Sequence, residues 1–137
     1  MKVVLDTNCL LQIVFPKSRY KEIWDALFAQ EYTICITSEI LLEYREILER
    51  RFGSAQFAEE VIDVLDILPN VERVIPAYRF NLITADPDDN KFVDCAITAG
   101  ATYIVSNDHH FQELERYDFP KVDVRTLPQF LEIVRTL

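Results

Sequence analysis

The stretch Ala85-Asp-Pro-Asp-Asp-Asn-Lys-Phe-Val-Asp-Cys-Ala-Ile-Thr-Ala-Gly-Ala-Thr-Tyr-Ile-Val-Ser-Asn-Asp108 decides the fold. Asp86-Pro87-Asp88-Asp89 is a helix-start signal, because short acids accept hydrogen bonds from the free N–H groups of a first turn. Phe92, Cys95, Ala96 and Ala99 follow at helical spacing, and Gly100 fits just past the helix end. Thr102 to Val105 is short, β-branched and aromatic, so it reads as a buried strand. Asp108 then lies just beyond that strand's carboxyl end. Open parallel sheets bind ligands off the carboxyl ends of their strands. One helix and one strand thus bring acids toward a common edge.

Working outward, Lys2-Val-Val-Leu-Asp6 is a buried strand that delivers Asp6 to the same kind of position. Thr7 and Asn8 can cap a segment from Cys9 to Phe15, which Pro16 ends. Arg19 to Gln30 reads as a helix, Tyr32 to Thr37 as a second strand, and Ser38 as the cap of a long helix stopped by Gly53. On that helix Ile40, Leu41, Tyr44, Ile47 and Leu48 form the apolar face, and Glu43 falls at its boundary. Ser54 to Leu68 keeps a helical period. Val71 to Ile75 reads as a short edge strand, limited by Pro76. Ala77 to Ala85 carries no periodic signal. Lys121 to Arg125 alternates as a last strand, and Leu127 to Leu137 is a terminal helix with Pro128 in its first turn. Strands alternating with helices predict a parallel sheet covered on both faces, a three-layer α/β/α sandwich within a single domain over residues 1–137.

Composition bounds the function. The 137 residues are 50% hydrophobic and 27% charged, ordinary values for a soluble globular chain. No apolar run approaches the ~18 residues of a membrane helix, and Lys2 to Asp6 turns acidic too soon for a signal peptide, so a cytoplasmic protein with no membrane partner is expected. Cys9, Cys35 and Cys95 show no metal-binding spacing and sit among apolar neighbours, as buried thiols do. A net charge of −9 argues against gripping nucleic acid through a broadly basic surface. It leaves room for carboxylates gathered around a divalent metal, which reverses the local sign.

Asp6, Glu43, Asp94 and Asp108 are the acids that one sheet edge could collect. Hard oxygen ligands in that number suit Mg²⁺ or Mn²⁺, which relieve their mutual repulsion. Such ions can activate a water or clamp an in-line displacement at phosphorus. Asp88 and Asp89 are further candidates for the third acid. Asp94 is the expected ligand, because it lies off the core stripe between apolar neighbours. Asp89 has a capping task at the helix start, and Asn90, one turn before Asp94, could orient it. His109 and His110 read as helix-start residues. With 2 Gly in the chain, a phosphate-cradling Gly-rich loop is excluded.

Val4-Leu5-Asp6-Thr7-Asn8, Leu42-Glu43, Asp94-Cys95-Ala96-Ile97 and Ile104-Val105-Ser106-Asn107-Asp108 together resemble the PIN domain family of metal-dependent nucleases, which includes VapC-like toxins. Asp89-Asn90-Lys91-Phe92 looks like one subgroup of PIN-family toxin components. The resemblance implies Asp6, Glu43, Asp94 and Asp108 as metal-binding and catalytic acids, with Asn8 and Ser106 as supporting polar groups. It also implies an RNA substrate, a homodimer and a cognate antitoxin. Competing readings are less well supplied. An aspartyl-intermediate phosphatase wants a second acid where Asn8 stands. A phospho-acceptor signalling domain wants paired acids after the first strand and a lysine after a late one. A catalytically silent PIN-like module for binding RNA or protein would not need all four acids. Lys17, Arg19, Lys21, Arg45, Arg50 and Arg51 are the candidate substrate contacts.

Overall fold

The computed structural model describes residues 1–137. Strand β1 (Lys2–Leu5) lies at the centre of a five-stranded sheet, and Val3, Val4 and Leu5 are wholly buried. It pairs in parallel with β2 (Thr33–Ile36) on one side and β4 (Tyr103–Val105) on the other. β3 (Val71–Arg73) extends the sheet beyond β2, and β5 (Val124–Arg125) beyond β4. The order is β3-β2-β1-β4-β5, all parallel. Every connection must therefore cross over from carboxyl to amino edge, which is why helices fill the gaps in sequence. They cover both faces and make the α/β/α sandwich expected from the sequence.

The helices are α1 (Thr7–Val14), α2 (Lys21–Phe28), α3 (Ser38–Phe52), α4 (Ala55–Ile67), α5 (Asn90–Ala99) and α6 (Leu127–Arg135). Local chemistry explains their ends. Gly53 and Gly100 follow α3 and α5 at φ 62° and 65°, a left-handed conformation that costs other residues more. Thr126 and Gln129 form a capping box at α6. Ser54 caps α4, accepting from the Phe57 N–H at 3.1 Å. At α3 the cap is Thr37 rather than Ser38: its hydroxyl accepts from the Ile40 N–H at 3.1 Å, and Ser38 is already helical. β5 is also shorter than the alternation of residues 121–125 suggests, with only Val124 and Arg125 on the ladder.

The segment between β3 and α5 has no regular structure until a 3-10 turn at Pro87–Asp89. Side chains from elsewhere satisfy its backbone instead, as buried amides require. Asp94 accepts from the Phe80 N–H at 3.1 Å. Asn90 pairs with both the N–H and the carbonyl of Ile83, each at 2.9 Å. Glu113 accepts from the Thr84 and Ala85 N–H groups at 3.0 and 2.7 Å. Glu113 lies on a second 3-10 helix, His109–Arg116.

Cys9, Cys35 and Cys95 are free and fully buried, and burial pushes each thiol up to about 12. Tyr44 of α3, also fully buried, donates its hydroxyl to the Leu5 carbonyl at the end of β1. This bond ties the helix bearing Glu43 to the strand that delivers Asp6. Tyr44→Phe should lower unfolding free energy in urea by about 1–2 kcal/mol, the cost of stranding a buried partner. An unchanged midpoint would show that the bond adds nothing.

Candidate metal centre

Strand order reverses at β1, whose neighbours β2 and β4 lead away in opposite directions. The crevice between the carboxyl ends of β1 and β4 is the place where a doubly wound sheet opens to a ligand. Asp6 follows β1 directly. It occupies the cap position of α1 without making a capping hydrogen bond. Its carboxylate instead accepts from the Ser106 hydroxyl, just past β4, at 2.7 Å. The same hydroxyl accepts from the Asp108 N–H at 3.0 Å. Ser106 thus joins the two strand ends. Burial raises the Asp6 carboxyl above its usual range, the Ser106 bond opposes that, and the charges of Asp108 and Glu43 add to it.

Asp108 starts the second 3-10 helix, accepting from the His110 N–H at 2.9 Å. His109 and His110 are the first residues of that helix, as expected from the sequence, and Asp108 is its cap. His109 is exposed, whereas the His110 ring turns inward, its Nδ1 lying 3.3 Å from Asp108 and 3.5 Å from Asp89.

Asp89 completes the group. It sits at the last position of the 3-10 turn, immediately before α5. Its carboxyl is raised to about 6, first by burial and then by the charges of Asp86, Asp108 and Asp6. Ligand atoms of Asp86, Asp89 and His110 lie within 4.8 Å of one another, as do those of Asp108, His109 and His110. Asp89 Oδ2 and His110 Nδ1 are buried and face one another at 3.5 Å, and neither makes a well-aligned hydrogen bond, although the His110 ring partly offsets the rise at Asp89. Burying such atoms unpaired is costly, and a cation among them removes that cost.

Asp94 does not join these acids, and the order expected for Asp89 and Asp94 is reversed in space. Along a helix, residues five apart differ by about 7.5 Å in height and about 140° in direction. Asp89 therefore stands at the sheet edge, while Asp94 points elsewhere. It binds the Phe80 N–H, its nearby charges are Arg79 and Glu39, and it lines a small pocket of about 180 Å³ with Thr37, Ser38 and Pro76. Asn90 serves Ile83 rather than Asp94. The apolar neighbours of Asp94 reflect a buried structural bond, not a lined site.

Glu43 reaches the group from α3. Its carboxylate accepts from the Thr7 hydroxyl and forms an ion pair with Lys91 at 2.7 Å. Lys91, in the first turn of α5, is not singled out by strand ends or helical periodicity. It is buried, and it also meets the Asp88 carboxylate at 2.9 Å and the Asp88 carbonyl at 3.1 Å. Burial works against its charge, but the bonds to Glu43 and Asp88 prevail and raise its pKa. The signal for it was a lysine placed in the first turn of a helix whose start is crowded with acids.

Beside Asp6 and Asp108 a cleft of about 920 Å³ opens, and Asn8 and Asn107 line it with them. Lys17, Arg19 and Arg51 stand along it.

An all-parallel α/β/α fold with a carboxylate centre at its switch point defines a class of acid-site enzymes and their relatives. The PIN domain profile matches residues 2–110 of this chain, so the chain belongs to the PIN domain family. In structure it is similar to VapBC2 from Rickettsia felis, solved bound to a DNA fragment from its promoter. That match has a TM-score of 0.63 at 18% identity and covers 92% of this chain and 98% of that one. At that identity the likeness speaks for the fold. No curated protein sequence matches the chain.

The raised carboxyls set the sign of a pH effect. A group whose folded pKa lies above its unfolded value weakens the fold as pH rises through that interval. For Asp89 the interval runs from the model-peptide value of 3.8 to about 6. Metal-free Asp89→Asn should therefore melt higher than wild type at pH 7–8, and the gap should close as pH falls from 6 to 4. A gap independent of pH would remove Asp89 from the charged group. If Asp89 is a ligand, the order should invert in Mn²⁺. Calorimetric Mn²⁺ affinity should fall at least about ten-fold in Asp89→Asn and stay within about two-fold of wild type in Asp94→Asn.

Proposed function

We propose that this chain is a divalent-metal-dependent endoribonuclease, acting as a single domain and serving as the toxin of a toxin–antitoxin pair. The observation that carries the reading is the half-buried Asp89 carboxyl, crowded by the charges of Asp86, Asp108 and Asp6 at the switch point and met only loosely by His110, in a chain of the PIN domain family. The donor set fits Mg²⁺ or Mn²⁺: carboxylate oxygens from β1, α3, α5 and β4 ends, with no thiolate to favour softer metals. Asp6, Glu43, Asp89 and Asp108 would hold the ion, directly or through water.

When bound, such an ion supplies Lewis acidity at a phosphoryl oxygen and makes water a nucleophile near neutral pH. The chain's own groups prepare that chemistry. The Ser106 hydroxyl fixes one oxygen of Asp6 and leaves the other free. The Thr7 hydroxyl and Lys91 hold Glu43 in one orientation. Lys91 also offsets part of the local negative charge, so that a phosphodiester meets less repulsion as it approaches. A surface of this kind works without a basic exterior, which accommodates the net charge of −9.

No helix is long and apolar enough to cross a membrane, and we read the protein as cytoplasmic. The VapBC2 likeness supports an antitoxin partner, and the exposed Phe28 of α2 and Ile67 of α4 support a homodimer. Fluorogenic RNA should be cleaved in Mn²⁺ and spared in EDTA, with Asp6→Asn and Asp89→Asn each losing at least about a hundred-fold in rate while keeping the wild-type circular dichroism spectrum. Equal cleavage by wild type and both variants would trace the activity to a contaminant. Light scattering should return twice the 16.0 kDa chain mass at micromolar concentration; a mass of one chain would remove the homodimer.

A further inference from the structure

The cleft beside the acids divides the basic residues of the N-terminal half into two kinds. Lys21, Arg45 and Arg50 are engaged on the surface by Asp25, Glu59 and Glu46. Lys17, Arg19 and Arg51 form no salt bridge, and all three line the cleft that contains Asp6 and Asp108. Those two acids are the only carboxylates on its wall. In a chain of net charge −9, three cations free of salt bridges on one concave wall, with Arg19 lying over the Tyr20 ring, offer a local attraction for an anionic ligand.

The same wall carries an aromatic platform. Phe15 closes α1 and is 45% exposed. Its ring lies nearly parallel to that of Phe52, at 17° and 6.2 Å between centroids. Phe52 in turn packs edge-on against Phe57 at 4.9 Å. The outer ring is thus backed by two more and held in place without being covered. A 6.2 Å separation leaves no room for a base between the rings, so the free face of Phe15 is the stacking surface. Cations along a groove with an exposed aromatic ring are what single-stranded nucleic acid requires, because every unpaired base has a π-face and every linkage a negative charge.

We infer that Phe15, Lys17, Arg19 and Arg51 form a binding subsite for single-stranded RNA, in which one base stacks on Phe15 and the flanking phosphates lie along the three cations. The strand then runs toward Asp6 and Asp108, which share the cleft. This inference rests on the ribonuclease reading for the identity of the strand. A duplex cannot present an unpaired base to Phe15, so the subsite selects against it.

The test is fluorescence anisotropy with labelled oligouridine on wild-type protein, in EDTA to stop hydrolysis and again in Mn²⁺, across a salt series. Three phosphate contacts predict a log–log salt slope near −2, at ~0.7 per contact on a single strand. Arg51→Ala, Arg19→Ala and Lys17→Ala should each flatten the slope by about 0.7, whereas Arg45→Ala and Arg50→Ala should leave it unchanged. Phe15→Ala should weaken binding about ten-fold with no change in slope, and Phe15→Tyr should restore it. Oligouridine that binds in neither buffer overturns the subsite, and so does equal affinity for duplex RNA. Equal slopes for Arg51→Ala and Arg50→Ala overturn it as well. Residue-dependent binding of RNA that stays intact in Mn²⁺ would sink the ribonuclease reading and leave the subsite standing.

Discussion

Crowding of like charge at the carboxyl edge of the sheet is the constraint from which the rest of the molecule follows. Asp6, Glu43, Asp89 and Asp108 are brought together with Asp86 and Asp88 close by, and burial makes the charges of Asp6 and Asp89 harder to keep. The fold meets this with three devices. Ser106 and Thr7 donate hydroxyl hydrogens to the acids. Lys91 contributes the one buried ammonium, shared between Glu43 and Asp88. The remaining excess stays as raised carboxyl pKa values and as an oxygen without a well-aligned hydrogen bond. A chain selected for stability alone would replace such a group with apolar side chains, and it is this residual repulsion that the proposed metal would relieve.

The architecture supplies the rigidity that this arrangement needs. β1 is buried, has a strand on either side, and is tied to α3 through Tyr44. Asp6 therefore begins from a backbone held on both sides and from above. Asp108 begins from the adjacent strand and is locked to Asp6 through one shared hydroxyl. Asp89 has a different kind of support. It ends an irregular segment whose amides are held by Asp94, Asn90 and Glu113. The bonds from Ala85 and Thr84 also keep the Glu113 carboxyl below its usual range. The acid that matters here is placed by three polar side chains and not by a ladder.

The sheet was legible because parallel strands announce themselves as short apolar runs ending in acids or caps, as at Leu5-Asp6 and Val105-Ser106. Helix ends were legible at Gly53 and Gly100, where the needed conformation selects the residue. The placement of Asp6 and Asp108 at one edge was legible, because it follows from strand ends alone. Placement was misread at Asp94, since a helical wheel reports a residue's direction and says nothing of what lies in that direction. Here it is the Phe80 amide, at the end of a stretch with no periodicity to reveal its path. Lys91 escaped for a related reason: a lysine is ordinarily solvated, and only the folded distance to Glu43 shows that this one is not. The split among the basic residues was likewise invisible, because pairing with Asp25, Glu59 or Glu46 depends on rotamers and neighbouring helices.

Cys9, Cys35 and Cys95 have a use that their inertness creates. They lie on the buried face of α1, on β2 and within α5, and burial holds their thiols away from the nucleophilic thiolate form. The native protein should be blind to alkylating reagents, each sulfur becoming visible only when its own element opens. Three natural chemical clocks are thus built into three parts of the fold. One of them sits in the helix that Asp89 precedes, and its alkylation rate would time the breathing of that side of the acid cluster without any added label.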